Sequence, residues 1–144
     1  MAFDVEELRT DSAKETEGVW HEIGPGARAR IARWMNPEMR KLVLIEARKV
    51  RHQTSAGVDL SDVADDKLNA IMADHLLLEI AGDWTMGGRP LKNTTKDRLA
   101  VLEIRAIREI VVGLAEDASN YRLDAEKAAA GNSRSESGGN ADAA

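Results

Sequence analysis

The chain has 144 residues, of which 43% are hydrophobic, 31% charged and 3% aromatic, with no cysteine and a formal net charge of −5. This length suits one domain with a modest core, and the lack of cysteine excludes disulfide scaffolds, thiolate zinc sites, iron–sulfur clusters and cysteine nucleophiles. The longest uncharged apolar run, at 110–115, is too short to span a bilayer, and the acidic N-terminus lacks a signal-peptide core. We therefore expect a soluble, intracellular protein.

The first predicted elements are an N-terminal arm and a β-hairpin. Residues 1–16 are polar and charged with scattered apolar positions, so we expect a flexible arm, with a short helix over residues 5–8 as the alternative. Residues 18–23 alternate with the two-residue period of a strand, and a Gly-Pro-Gly turn at 24–26 leads into a second alternating stretch at 27–34. This pattern predicts strand, turn and strand. A helix over 27–34 is the alternative, because alanine and arginine are good helix formers.

Two helices are predicted next. The first begins at Asn36, a good N-cap that is followed by proline at the first helical position, and it extends to about His52. A loop at 53–60 leads to the second helix, which is predicted to end at about Ala81. The second helix has the wider apolar face, so we expect it to occupy a central position.

The last predicted helix is long. A glycine-rich connection at 82–91 precedes Thr94, which is expected to cap the helix in a capping box with Asp97. Apolar residues then recur with helical spacing as far as Tyr121. The pattern predicts one continuous helix over about 95–123, roughly 40 Å long.

The predicted fold is therefore α+β and mostly α, with an N-terminal β-hairpin followed by three helices. The domain organisation is an arm at 1–16, a single α-rich domain at 17–125 and a tail at 126–144. The tail consists mainly of alanine, glycine, serine, asparagine and acidic residues, which cannot offset the entropy of ordering, so we expect it to be disordered.

No pattern in the sequence indicates catalysis or a bound metal. His21, His52 and His75 fall in three different predicted elements, and we expect His21 on the surface of its strand and His75 on the apolar face of a helix. The acidic group at 62–66 lacks the spacing of a calcium loop, and the glycines at 82–88 lack the lysine and hydroxyl ending of a phosphate loop. We expect no enzymatic activity, no cofactor and no metal site.

The small net charge conceals opposed blocks. Residues 1–23 carry −5, residues 24–52 carry +6 and residues 53–85 carry −6. The basic segment at 28–51 is a candidate nucleic-acid surface, but the acidic overall charge and the scarcity of aromatic side chains argue against that partner. Blocks of this kind favour pairing with each other or with an acidic protein partner.

Tryptophan and arginine are enriched at the energetic centres of protein interfaces. Trp20 and Trp34 lie on the two arms of the predicted hairpin, where they are placed to form a cross-strand pair. Plain core packing is the alternative role for the tryptophans. The candidate partner-binding residues are Trp20, Arg28, Arg30, Trp34, Arg40 and Trp84.

The segment 79–121 carries a family resemblance. It reads Glu-Ile-Ala-Gly-Asp-Trp, then Gly-Gly-Arg-Pro-Leu, then Asn-Thr-Thr-Lys-Asp-Arg-Leu, and it ends Leu-Ala-Glu-Asp-Ala-Ser-Asn-Tyr. With the tryptophan-containing strand, turn and strand before it, this resembles the tail assembly chaperones of long-tailed bacteriophages over residues 17–122. One departure is Gly87-Gly88 where that family usually has Asp-Gly. The matching positions are Trp84, Gly88, Pro90, Leu91, Thr94 and Leu99.

The resemblance implies a non-enzymatic protein of the host cytoplasm. Such chaperones bind the tape measure protein, help recruit tail tube subunits and are absent from the finished virion, and self-association is compatible with that role. No membrane partner is expected. Two alternatives remain: a structural virion protein such as a head–tail connector or tail completion protein, and a small nucleic-acid-binding regulator that uses residues 28–51.

Overall fold

The structure is a computed structural model that describes residues 2–50 and 60–123. The predicted tail at 126–144, His52 and nearly all of the predicted loop at 53–60 lie outside the described residues. The described part is α+β, with more helix than strand, as the sequence predicts. Within that part, no helix is long and apolar enough to cross a membrane.

Groups of helices and groups of short strands follow one another along the chain. The α-helices are α1 (Ser12–Glu17), α2 (Pro37–Val50), α3 (Asp65–His75), α4 (Thr95–Leu102) and α5 (Arg105–Glu116). The strands are β1 (Val19–Gly24), β2 (Ala27–Ile31), β3 (Leu77–Gly82), β4 (Thr85–Met86) and β5 (Arg89–Pro90). Short 3₁₀ helices lie at Val5–Leu8, Leu60–Asp62 and Ala118–Tyr121.

A three-stranded antiparallel sheet in the order β1-β2-β3 is the centre of the fold. The β1–β2 hairpin is present, and the helical alternative for its second arm is wrong. The strand β2 nevertheless ends at Ile31, three residues earlier than predicted. Trp34 therefore lies outside the sheet, and the residue opposite Trp20 is Arg30 rather than Trp34.

The third strand replaces the end of a predicted helix. Helix α3 ends at His75, and the chain continues as β3 instead of remaining helical to Ala81. Pairing with β2 decides this, since Ala29 lies opposite Ile80 and Arg30 lies opposite Glu79 in the ladder. The apolar run at 76–78 has no period that distinguishes a strand from a buried helix.

The predicted long helix is two helices. α4 ends at Leu102, and Ile104 has extended backbone angles (φ −84°, ψ 110°) before α5 begins. The two helices pack against different elements, α4 chiefly against α3 and α5 against β2 and the last 3₁₀ helix. The predicted cap at Thr94 is confirmed, because Thr94 Oγ1 accepts the Asp97 N–H at 3.1 Å. The reciprocal half of the predicted capping box is absent, since the Asp97 carboxylate accepts the Lys92 N–H instead.

Residues 9–11 are hydrogen-bonded to residues 121–123 at the other end of the described domain. This attachment differs from the flexible arm expected over residues 1–16. The Asp11 N–H donates to the Tyr121 carbonyl at 2.7 Å, and Thr10 forms an isolated β-bridge with Arg122. The Leu123 N–H donates to the Arg9 carbonyl at 2.9 Å. These bonds fix residues 9–11, because a terminus becomes ordered when its backbone is tied to the body of the protein.

The core lies between one face of the sheet and helices α2 to α5. It is mainly aliphatic, as the low aromatic content requires, with Trp84 as its aromatic member, and Tyr121 is also fully buried. The fully buried residues of the largest volume, apart from Tyr121, are Ile31, Met39, Val43, Met72, Leu76, Leu77, Leu102 and Val111.

Candidate partner-binding groove

Three of the six candidate residues meet on the outer face of the sheet. Trp20 is 40% exposed, and the Arg28 guanidinium lies over its ring at 5.2 Å from the centroid. Arg30 is held by Glu79 on the neighbouring strand, with Nε and Oε1 3.3 Å apart. His21 lies on the opposite, inner side of β1, half-buried, although the sequence suggests a surface position.

Trp84 belongs to the core and is not displayed to a partner. Its side chain is buried, and its indole N–H lies 3.0 Å from the Arg28 carbonyl oxygen and 3.1 Å from that of Ala81. The indole therefore ties the turn after β3 back to β2. Of the two roles that the sequence left open for this tryptophan, core packing describes its position in the structure.

Trp34 lies on a tight turn that joins β2 to α2. The Asn36 N–H donates to the Arg33 carbonyl at 3.1 Å, and Met35 adopts φ +56°, a left-handed conformation that is rare for a side chain of this size. The Asn36 side chain stabilises the turn: its Nδ2 donates to the carbonyls of Arg33 and His75, and its Oδ1 accepts the Met39 N–H. The predicted start of α2 at Asn36 is thus confirmed.

This turn is attached to the C-terminal end of α5. The Trp34 N–H donates to the Ala115 carbonyl at 3.0 Å, and the Arg33 guanidinium donates to the Glu116 carbonyl at 2.8 Å. A cation at this position favours the helix C-terminus, where carbonyls lack partners within the helix. The same guanidinium lies over the ring of Tyr121, whose pKa is raised by burial.

Between Trp34 and α5 lies a groove of about 400 Å³, called here the α5 groove. The α5 residues that line it lie three, four, seven, eight and eleven residues after Arg105, which is the spacing of one face of a helix. They therefore form one stripe along the whole of α5. The groove has an apolar centre and charged ends. It is lined by Trp34, Arg105, Arg108, Glu109, Val112, Gly113 and Glu116.

Gly113 leaves the floor of the α5 groove open. It lies in the middle of a twelve-residue helix, where glycine costs about 0.5–1 kcal/mol relative to alanine. A Cβ added at this position meets no atom within 4 Å outside the helix backbone. Packing within the described chain therefore does not explain the glycine.

A second concave surface continues past Trp34 to the start of α2. We call it the α2 pocket; its volume is about 390 Å³, and Met35, Pro37, Arg40, Lys41 and Leu44 line it. A third, more polar concavity shares Trp34 with the α5 groove and shares Met35 and Arg40 with the α2 pocket. Within the described residues, no acidic side chain forms an ion pair with Arg40 or Lys41.

The basic segment does not present a uniform cationic surface. Its arginines and lysines are divided between the sheet face, the turn and α2, and several have acidic neighbours within the chain. The pairs, with their shortest distances between charged atoms, are Arg30 with Glu79 at 3.3 Å, Arg33 with Glu15 at 3.9 Å and Lys49 with Glu46 at 3.0 Å.

Among the candidates predicted from the sequence, Trp34 lines the α5 groove and Arg40 lines the α2 pocket, whereas the residues of α5 were not predicted. The signal for them was present, because an isolated glycine inside a strong helical pattern needs a packing or functional reason. Among the described residues, no group of three or more histidine, aspartate or glutamate side chains is placed to hold a metal ion. The chemistry that the groove offers is the binding of an apolar surface with charges at its two ends.

Comparisons with known proteins do not add a relative. No protein family, no curated protein and no solved structure matches this chain.

Proposed function

We propose that the protein is a non-enzymatic tail assembly chaperone of a long-tailed bacteriophage, which binds the tape measure protein and helps recruit tail tube subunits. The proposal combines the sequence resemblance around Trp84 and Thr94 with the α5 groove. The observation that carries the binding role is Gly113, whose missing side chain opens the floor of that groove.

The dimensions of the α5 groove suit a helical ligand. From Arg105 to Glu116 the helix advances by eleven residues, or roughly 16 Å at about 1.5 Å per residue. That length accommodates about three turns of a partner helix, which can place residues at one-turn intervals on the stripe. Glycine on one helix allows the backbone of the second to approach closely.

The charges at the groove ends favour one orientation of the ligand. Arg105 pairs with Glu109 at 2.9 Å, and Arg108 lies 3.8 Å from Asp65, so the N-terminal end is largely compensated. Glu116 has no ion pair with a described residue. A partner helix with a basic side chain near that end gains a complementary contact, and charge pairs of this kind act mainly on orientation and association rate.

Co-purification tests the proposal directly. The full chain, carrying a tag, is co-expressed with the tape measure protein and, separately, with the tail tube protein, and the retention of each tail protein is measured. We expect wild-type chain to retain the tape measure protein. Gly113→Gln fills the floor of the groove with a good helix former, so we expect retention to fall about tenfold while the helix content is unchanged.

Ala70→Gln is the matched control, because Ala70 is exposed on α3 and does not line the α5 groove. This variant should retain as much tape measure protein as wild type. Failure of the wild-type chain to retain either tail protein contradicts the proposal. Equal losses in the Gly113→Gln and Ala70→Gln variants contradict the assignment of the groove.

A further inference from the structure

We propose that the N-terminal segment at 2–8 of one copy docks in the α2 pocket of a second copy, so that the protein self-associates through its own acidic, apolar N-terminus. The α2 pocket is adjacent to the α5 groove but is lined by different residues. This inference therefore stands independently of the tape measure protein as a ligand.

The N-terminal segment displays apolar side chains that are largely exposed in the described part of the chain. Phe3, Val5 and Leu8 are 78%, 64% and 47% exposed. Val5 and Leu8 are three residues apart in a 3₁₀ helix, where side chains at that spacing project from the same side. Apolar side chains that are grouped and exposed in this way mark an interaction surface.

The base of the segment is fixed while its apolar side chains remain free. The Arg9 carbonyl accepts the Leu123 N–H at 2.9 Å, and Asp4 caps the 3₁₀ helix by accepting the Glu6 N–H at 3.0 Å. The segment is thus presented to solvent with part of its ordering entropy already lost. Preorganisation of this kind lowers the cost of docking.

The two surfaces are complementary in charge. The segment contains Asp4, Glu6 and Glu7 and no basic residue. Glu6 pairs with Arg9, just after the segment, at 2.7 Å. The α2 pocket has two cations, Arg40 and Lys41, that form no ion pair with a described residue. Acidic groups beside Val5 and Leu8 therefore match cations beside an apolar pocket.

A second copy is the occupant that the structure favours. The exposure of Phe3, Val5 and Leu8 shows that the segment does not occupy a pocket formed by the described residues of its own chain. Each copy carries one segment and one pocket, which are different surfaces. The contact is then heterologous, and repetition produces either a closed ring or a linear array, unless two copies exchange segments reciprocally.

Sedimentation velocity on the full chain over a range of concentrations tests this inference. We expect wild type to associate, and we expect association to weaken as salt is raised because the acidic segment faces Arg40 and Lys41. Val5→Asp with Leu8→Asp should weaken association about tenfold or more. Ile110→Asp is the control, since Ile110 is also exposed but lines neither the pocket nor the segment, and it should associate as wild type does.

The decisive experiment exchanges the charges of the α2 pocket and the N-terminal segment. Arg40→Glu with Lys41→Glu, and separately Asp4→Lys with Glu7→Lys, should each remain monomeric, whereas an equimolar mixture of the two should associate. A wild-type chain that stays monomeric to about 1 mM, or a mixture that stays monomeric, overturns the inference. Retention of the tape measure protein by these variants is measured alongside, so failure here is distinguishable from failure of the proposed function.

Discussion

The backbone N–H of Trp34 donates to the carbonyl of Ala115 at 3.0 Å, and this bond joins the two walls of the α5 groove. Trp34 lies on the turn after β2, and Ala115 lies in the last turn of α5. Because backbone atoms make the contact, the attachment of the turn to α5 does not depend on the identity of either side chain. The groove is therefore present in the single chain.

The first prediction concerns Gly113. Gly113→Ala should raise the free energy of unfolding by about 0.5–1 kcal/mol, since alanine is the better helix former and its Cβ meets no neighbour. Urea unfolding followed by circular dichroism measures the change. A loss of stability in this variant would show that the fold, and not a partner, requires the glycine.

Asn36 should be among the most sensitive buried polar residues. Its Nδ2 lies 2.9 Å from the Arg33 carbonyl oxygen and 2.8 Å from that of His75, and its Oδ1 caps α2. Asn36→Ala removes the side-chain partner of the His75 carbonyl and of the Met39 N–H, while the Arg33 carbonyl keeps the backbone N–H of residue 36. The variant should cost about 2–4 kcal/mol in urea unfolding. Asn36→Ser restores a capping oxygen and should fall between alanine and wild type; a loss equal to that of alanine would argue against the cap.

Tyr121 should stabilise the fold through its hydroxyl group as well as its ring. The fully buried hydroxyl oxygen lies 2.8 Å from the Ala32 carbonyl oxygen and 3.1 Å from that of Ile31. Tyr121→Phe keeps the ring but removes the donor, so we expect a loss of about 1–2 kcal/mol in the free energy of unfolding. Unchanged stability would mean that water reaches these carbonyls.

The pH dependence of stability should include a contribution from His21. Its Nε2 is enclosed without a hydrogen-bond partner among the described residues, and burial lowers its pKa. The folded state thus disfavours the protonated imidazole, while the unfolded state binds the proton at about pH 6.5. Stability from this group is complete above that pH and is lost as the pH falls toward the lowered pKa.

Urea midpoints at about pH 7.5 and about pH 5.5 measure this contribution. His21→Gln has no imidazole to protonate, so it should lose less stability between the two pH values than wild type does. If the two proteins lose the same stability on acidification, His21 is not the titrating group.

Local signals in the sequence determined where several elements begin and turn. Asn36 followed by proline specifies the start of α2, and Thr94 specifies the start of α4, because a cap satisfies N–H groups within a few residues of itself. Alternation of side chains likewise puts Trp20 and His21 on opposite faces of β1, although it did not identify which face is buried. Each of these signals acts within one turn or one strand, so the sequence alone is sufficient.

Tertiary contacts decided the features for which the sequence pattern was ambiguous or misleading. The stripe from Leu99 to Tyr121 is continuous in sequence, yet the helix breaks near Ile104 because its two halves pack on different surfaces. The strand β3 exists because β2 supplies a ladder for it. Length and low aromatic content thus determined a small, largely aliphatic core, and the local periodicities determined an α+β class. The α5 groove, in contrast, arises only when the turn at Trp34 meets a helix some 80 residues away along the chain, since periodicity describes one element and not its neighbours.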